Sequence, residues 1–267
     1  MREAGRIIGE DKANDMASAA ALRLQIERSL EARFPAALTP VPRTIREVAS
    51  TGIVAVDDLL DGGFPVGAIS EIVGPVSSGR TSLALAFLAG RTDEARVCAW
   101  VDAEDALDPE SAAASGVQLG QLLWVRCGNS VKKQEKPWTR LDQALRSTDL
   151  LLQAGGFAAI VLDLGGIDPA NGMRIPLATW FRFRQAADRT RCSLLVVGRD
   201  SYAQSSAAVV IDAESMRIES LGGTVLHAGA FALRRGRQRF QPQRSSALKP
   251  PASTWTASAQ WAMEQSA

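Results

Sequence analysis

From about residue 51 onward the chain alternates short, almost wholly apolar runs with longer stretches in which apolar residues recur every third or fourth position. The runs at 68–74 (AISEIVG), 97–104 (VCAWVDAE), 122–127 (LLWVRC), 157–164 (FAAIVLDL) and 193–199 (SLLVVGR) hold too few polar residues for strands wetted on one side. They predict strands covered on both faces. Between them, TSLALAFLAG predicts a helix ending at Gly90, and 109–115 predicts a short helix. TRLDQALRSTDLLLQAG is amphipathic, with Leu141, Ala144, Leu145, Leu151 and Leu152 on roughly one side, and 177–189 reads as a further helix. Buried strands alternating with helices call for an α/β fold with a mainly parallel central sheet. The runs 208–213 and 229–235 predict two later strands.

The ends of the chain follow different patterns. Residues 1–15 are polar and predict disorder, and 16–45 predict a helical arm and linker. Leu22, Ile26, Leu30 and Phe34 fall on one stripe of that helix, which Pro35, Pro40 and Pro42 end. The stripe either folds back on its own core or seeks a neighbouring subunit. Residues 46–240 form the predicted core. Residues 241–267, rich in Gln, Ser and Pro, predict a flexible tail whose Trp255 and Trp261 either anchor a partner or pack back on the domain.

Composition narrows the function classes. The chain has 267 residues, of which 46% are hydrophobic and 22% charged, as in a water-soluble protein with a sizeable core. The net charge of +1 hides a basic run at 231–250, which holds Arg234, Arg235, Arg237, Arg239, Arg244 and Lys249 and no acid. Cys98, Cys127 and Cys192 lack metal-ligand spacing and read as buried thiols. His227 is the single histidine, which argues against zinc or a histidine-based triad. With neither a leader nor a bilayer-length apolar run, the expected location is cytoplasmic, without membrane contact.

Candidate chemistry begins at 74–81, GPVSSGRT. In the pattern G-x-x-x-x-G-K-[ST], glycines let backbone N–H groups wrap a phosphate at a helix N-terminus, the lysine reaches the β- and γ-phosphates, and the hydroxyl holds Mg²⁺. Gly74, Ser77, Ser78, Gly79, Arg80, Thr81 and Ser82 are the candidate nucleotide-binding residues, with Arg80 in the lysine's place. Asp163, at the end of an apolar strand, is placed to hold the water shell of Mg²⁺ together with Thr81. Asp102 and Glu104 follow another strand, where a carboxylate would orient and deprotonate a water.

These elements in this order resemble the RecA family. STGIVAVDDLLDGGFPVGAISEIVGPVSSGRTSLAL looks like that family's strand, turn and phosphate loop, and CAWVDAEDALDP like the block bearing its catalytic glutamate. The resemblance implies a RecA-like P-loop core binding ATP or ADP with Mg²⁺. Glu104 and Arg80 would be its catalytic residues, Asp163 its metal-associated aspartate, and Asp108 would touch the base. RRGRQRF is similar to a basic motif that reaches a neighbour's nucleotide, through Arg235 and Arg237, and QIERSLEARF to the helix that joins RecA subunits. Several features depart from the pattern. Arg80 is broader than a lysine, Ser111 cannot stack on adenine, Arg199 or Asp200 stands for the sensing glutamine, both DNA loops are short, and a RecA-type C-terminal domain is missing.

Such losses resemble the RecA-like accessory proteins of bacterial mutagenesis cassettes, the ImuA type. The implied function is a DNA-damage-response accessory factor with a modified ATP site. It would meet RecA or itself through the arm, single-stranded DNA weakly and without sequence preference, and an error-prone polymerase complex through the tail. The alternatives are a DNA-dependent ATPase in which Arg80 does the lysine's work, and a nucleotide-free scaffold. The basic run faces DNA, a neighbour's nucleotide or solvent. A second basic set, Arg174, Arg182, Arg184, Arg189 and Arg191, interleaves with Trp180, Phe181 and Phe183, which either stack on bases or pack on the sheet.

Overall fold

The computed structural model describes residues 44–128, 139–214, 217–221, 225–242 and 252–258. The helix predicted at 16–33 and Trp261 lie outside them.

Six strands form the parallel part of the sheet. They are β4 (Ile69–Val73), β5 (Cys98–Asp102), β6 (Leu122–Arg126), β7 (Ala159–Asp163), β8 (Ser193–Gly198) and β9 (Ala207–Ala213), in the order β9-β4-β8-β7-β5-β6. Short strands β1 (Thr44–Arg46), β2 (Val48–Ala49) and β3 (Phe64–Pro65) precede them, with α1 (Val54–Leu59) between β2 and β3. The helices α2 (Arg80–Asp93), α3 (Pro109–Ala114), α4 (Arg140–Ala154), α5 (Pro169–Gly172) and α6 (Leu177–Thr190) connect the later strands.

Because successive strand residues point to opposite faces, each apolar run feeds two cores. Ile72, Trp100, Val161 and Leu195 pack with Leu83, Phe87 and Leu88 of α2 on one face. Ile69, Val101, Ile160, Leu162 and Val196 pack with Ala144 and Leu152 of α4 and Trp180 and Phe183 of α6 on the other. Burying each of the larger side chains contributes about 1.5–3 kcal/mol. Trp180 and Phe183 meet edge to face at 5.8 Å, so these two belong to the core. Phe181 is half exposed, with the Arg184 guanidinium 5.1 Å above its ring.

Four elements differ from expectation. Helix α2 runs past Gly90 to Asp93. A side chain at Gly90 would meet nothing within 4 Å, so that glycine is no stop. The last turn is held instead by Arg91, which stacks on Phe87 and pairs with Glu94, and by the Thr92 hydroxyl donating to the Leu88 carbonyl. The strand expected at 229–235 is the longer β11 (Val225–Gln238), antiparallel to β9 and to β10 (Arg217–Leu221). Past the expected core boundary, β12 (Phe240–Pro242) pairs with β1, and within the segment expected as a tail β13 (Ala252–Ser258) lies along β11. Composition hides such strands because their pairing is with distant residues.

Candidate functional site

The carboxyl ends of β4, β5, β7 and β8 open on one edge of the sheet, where crossover loops of a parallel sheet converge. The loop between β4 and α2 demands glycine twice. A Cβ on Gly74 would stand 2.2 Å from the Ala213 carbonyl oxygen, and one on Gly79, at φ 80°, would stand 2.3 Å from the Phe231 ring. Gly79 is also the N-cap of α2 and supplies no capping side chain, and no acid lies in the first turn. The N–H groups at the head of this helix would therefore meet an anion without a competitor from their own turn. Ser77 adds a left-handed φ of 61°.

Two buried donors here have no partner, Ser78 Oγ and Arg80 Nη1. Leaving buried polar groups unsatisfied is costly, and an incoming phosphate would relieve it. Ser77, Ser78, Gly79, Arg80, Thr81, Ser82 and Phe231 line a cavity of about 260 Å³ over the loop. Thr81 and Ser82 are exposed to it.

Arg80 is buried, at 8% exposure, and its side chain reaches toward the turn after β7. A Cβ built on Gly165 would lie 3.1 Å from Asp163 Oδ1 and 3.5 Å from Arg80 Nη2, so carboxylate and guanidinium flank the same small space. Burial lowers the Arg80 pKa, the Asp163 charge raises it, and Arg199 lowers it again. Arg80 stays charged regardless, because a guanidinium is not deprotonated in proteins. Burial pushes Asp163 up to about 6; the Gly165 N–H, donating to its Oδ1 at 2.9 Å, and the Arg80 charge pull the other way, while Asp102 and Glu104 add to the rise.

Glu104 reaches the same turn from β5. A Cβ on Gly166 would meet its Cγ at 2.5 Å, and Arg140, at the first position of α4, pairs with Glu104 Oε2 at 3.3 Å. Beside this pair lies a cavity of about 510 Å³, lined among others by Asp168, Asn171 and Arg174. Asp102 does other work. Buried, it accepts from the N–H groups of Glu104, Ala106 and Leu107 and from Trp124 Nε1, and so shapes the loop that carries Glu104.

The remaining sequence candidates stand apart from this edge or are tied down. Asp108 caps α3, accepting from the N–H groups of Glu110 and Ser111 and from Ser111 Oγ, bonds that hold its carboxyl below the ordinary value. Arg235 donates to the Leu59 carbonyl, Asp61 and Gln238, and Arg237 donates to the Gln204 carbonyl. Arg234 pairs with Asp212 at 2.8 Å, and Arg239 donates to the Ser205 carbonyl.

Three residues escaped sequence reasoning. Phe231 closes over the phosphate loop only because β11 lies two strands from β4. Arg140 meets Glu104 across 36 residues. Glu71, fully buried in β4, accepts from Ser201 Oγ and the N–H groups of Tyr202 and Ala203 and so pins the loop after β8; burial raises its pKa against those bonds. A lone acid inside an apolar strand was the one available signal.

A phosphate fits this site: the helix head, the left-handed loop and two unpartnered donors all await an anion. Mg²⁺ fits poorly. Thr81 and Asp163 supply oxygens, but the space beside Asp163 is already flanked by the Arg80 guanidinium, and Arg199 donates to the Gly165 carbonyl at 3.3 Å.

Comparison with known proteins agrees with this geometry. Residues 20–168 match the RecA N-terminal domain family. Protein RecA of Allorhizobium ampelinum is 40% identical over 157 residues, which are 58% of this chain and 40% of that protein. Protein RecA of Ruegeria pomeroyi is 42% identical over 118 residues, 44% of this chain and 31% of that protein. The chain thus matches less than half the length of these relatives. The crystal structure of the RadB recombinase shares the fold, with a TM-score of 0.53 and 17% identity over 78% of this chain and 94% of that one. With its phosphate loop, its two acidic strand ends and a family match across more than half its length, the chain belongs to the RecA family.

Proposed function

We propose that this protein is a RecA-like accessory factor of the DNA-damage response, in which a nucleotide phosphate is bound at 74–82 and hydrolysis is handicapped. The observation that carries this reading is the contrast within one site. The loop keeps its anion-binding form, while the cation next to it is a buried guanidinium turned toward Asp163.

In this reading the N–H groups of the loop and α2 bind the phosphate, and Ser78 supplies the hydroxyl and Arg80 the charge that a buried anion requires. Glu104 is the candidate base. Its carboxylate lies against the Gly165–Gly166 turn that follows Asp163 but is engaged by Arg140, an ion pair that must open before Glu104 can orient a water. Nucleotide occupancy then serves as a signal to partners. These are RecA or a second copy of this chain through the arm, single-stranded DNA through basic residues such as Arg182 and Arg184, and an error-prone polymerase complex through the tail, as the ImuA-type resemblance implies. Arg235 and Arg237 would have to leave their present partners to reach a neighbour's nucleotide.

The second reading, a DNA-dependent ATPase, is favoured by the convergence of Glu104 and Asp163 on the Gly165–Gly166 turn. Phosphate release with and without single-stranded DNA separates the two. The accessory reading expects turnover near background and unchanged by DNA, with nucleotide binding preserved in Glu104→Gln. Vigorous DNA-stimulated release that Glu104→Gln abolishes would establish the enzyme instead.

A further inference from the structure

In a phosphate-loop site Mg²⁺ bridges an acidic strand end to the phosphate oxygens, held by one or two carboxylates, a hydroxyl and water. Here the group beside the strand-end acid is Arg80. Its Nη2 and Asp163 Oδ1 lie within 3.5 Å and 3.1 Å of one point beside Gly165, the side chain is nine-tenths buried, and Nη1 has no partner. Tyr202, whose hydroxyl is also buried without a partner, and Arg199, whose Nε donates to the Gly165 carbonyl, complete the surroundings. A dication entering this space would face two guanidinium groups.

A guanidinium has what a bridge needs. Its planar fork presents donors in two directions, so one arm can face a carboxylate while the other meets a phosphate. A lysine ammonium is a compact point charge that leaves a separate place for the metal. Arg80 also lies on α2 at the mouth of the phosphate loop, so its stem starts where the lysine's would.

We propose that Arg80 takes over the bridging place of the divalent cation, so that nucleoside di- and triphosphates bind here without Mg²⁺, one guanidinium arm toward Asp163 and the other toward the phosphate. This rests on the nucleotide reading above and states its metal requirement. It also accounts for a site built to hold phosphate without the ion that ordinarily activates it for transfer.

Binding of ATP and of ADP to the full chain, measured by calorimetry in buffer with Mg²⁺ and in buffer with EDTA, tests the inference. The dissociation constants should agree within about threefold between the two conditions. In Arg80→Lys, Mg²⁺ should tighten binding by about tenfold or more, because the smaller ammonium vacates the space beside Asp163. Binding by the wild-type chain that requires Mg²⁺ would overturn the inference while leaving the nucleotide site standing. Absence of binding in both buffers would overturn the site itself and this inference with it. Should Arg80→Lys fail to fold, as circular dichroism would reveal, the wild-type comparison decides alone.

Discussion

Asp102 and Asp163 sit side by side, register partners at the carboxyl ends of β5 and β7, yet the loops that follow give them opposite tasks. The loop after β5 folds back over Asp102, so that three backbone N–H groups and an indole donate to it. The loop after β7 turns away through Gly165 and Gly166 and leaves Asp163 with the Gly165 N–H and a nearby guanidinium. One carboxylate is spent on holding a loop; the other accepts a single backbone hydrogen bond, and burial raises its pKa. The same residue type at the same height in adjacent strands is thus no guide to role. What decides it is how many donors the next few residues bring back.

The largest effect should come from Asp102→Ala. It orphans several buried donors at once, a loss of about 3 kcal/mol or more, read from urea or thermal unfolding. If the variant unfolds like the wild type, Asp102 is no scaffold and the contrast is lost.

Asp163→Asn should act through pH. Asp163 ionises near 6 in the folded chain against an ordinary 3.8. The native state therefore holds its proton longer than the unfolded one, and this contribution to stability is complete below about pH 4 and disappears as the pH rises through about 6. Asparagine removes that dependence. The melting temperature of the variant relative to the wild type should rise from about pH 4 to about pH 6 and level off above that. A difference that is flat across this range would place Asp163 in as well-bonded a setting as Asp102.

Arg140→Ala should have the smallest effect on stability, below about 0.5 kcal/mol, because the pair with Glu104 is partly exposed and screened by solvent. Slow phosphate release should increase as Glu104 is freed. A drop of several degrees in melting temperature would make Arg140 part of the frame rather than a restraint on the candidate base.

Much of this was legible in the chain. The apolar runs announced five of the six parallel strands, and the sixth, β9, was read only as a later strand. Strands β4, β5, β7 and β8 are covered on both faces, where few polar residues are tolerated, whereas β6 at the end of the sheet is partly exposed. The phosphate loop was equally plain, since Gly74 and Gly79 answer to local backbone geometry and to close approach that no other residue permits. The amphipathic helix α4 followed from periodicity, and α6 was expected as a helix. The sequence left Trp180 and Phe183 open between stacking on bases and packing on the sheet, and the structure buries both.

Other features were not legible. Residues 252–258 hold Thr254, Trp255 and Thr256 within a segment rich in Ser, Gln and Pro, and their place along β11 comes from pairing with residues far away in the chain. Phe231 over the phosphate loop, Arg140 on Glu104 and Glu71 under the loop after β8 are contacts across long separations, fixed by strand order rather than by neighbours. Local sequence determined the main parallel strands, the helices and the glycine turn after β4, because dihedral preferences and burial act within a few residues. The tertiary structure alone decided which acid gathers several donors and which is left with one backbone N–H. It also set where the Arg80 guanidinium points, because hydrogen-bond supply and charge proximity depend on what the fold brings together.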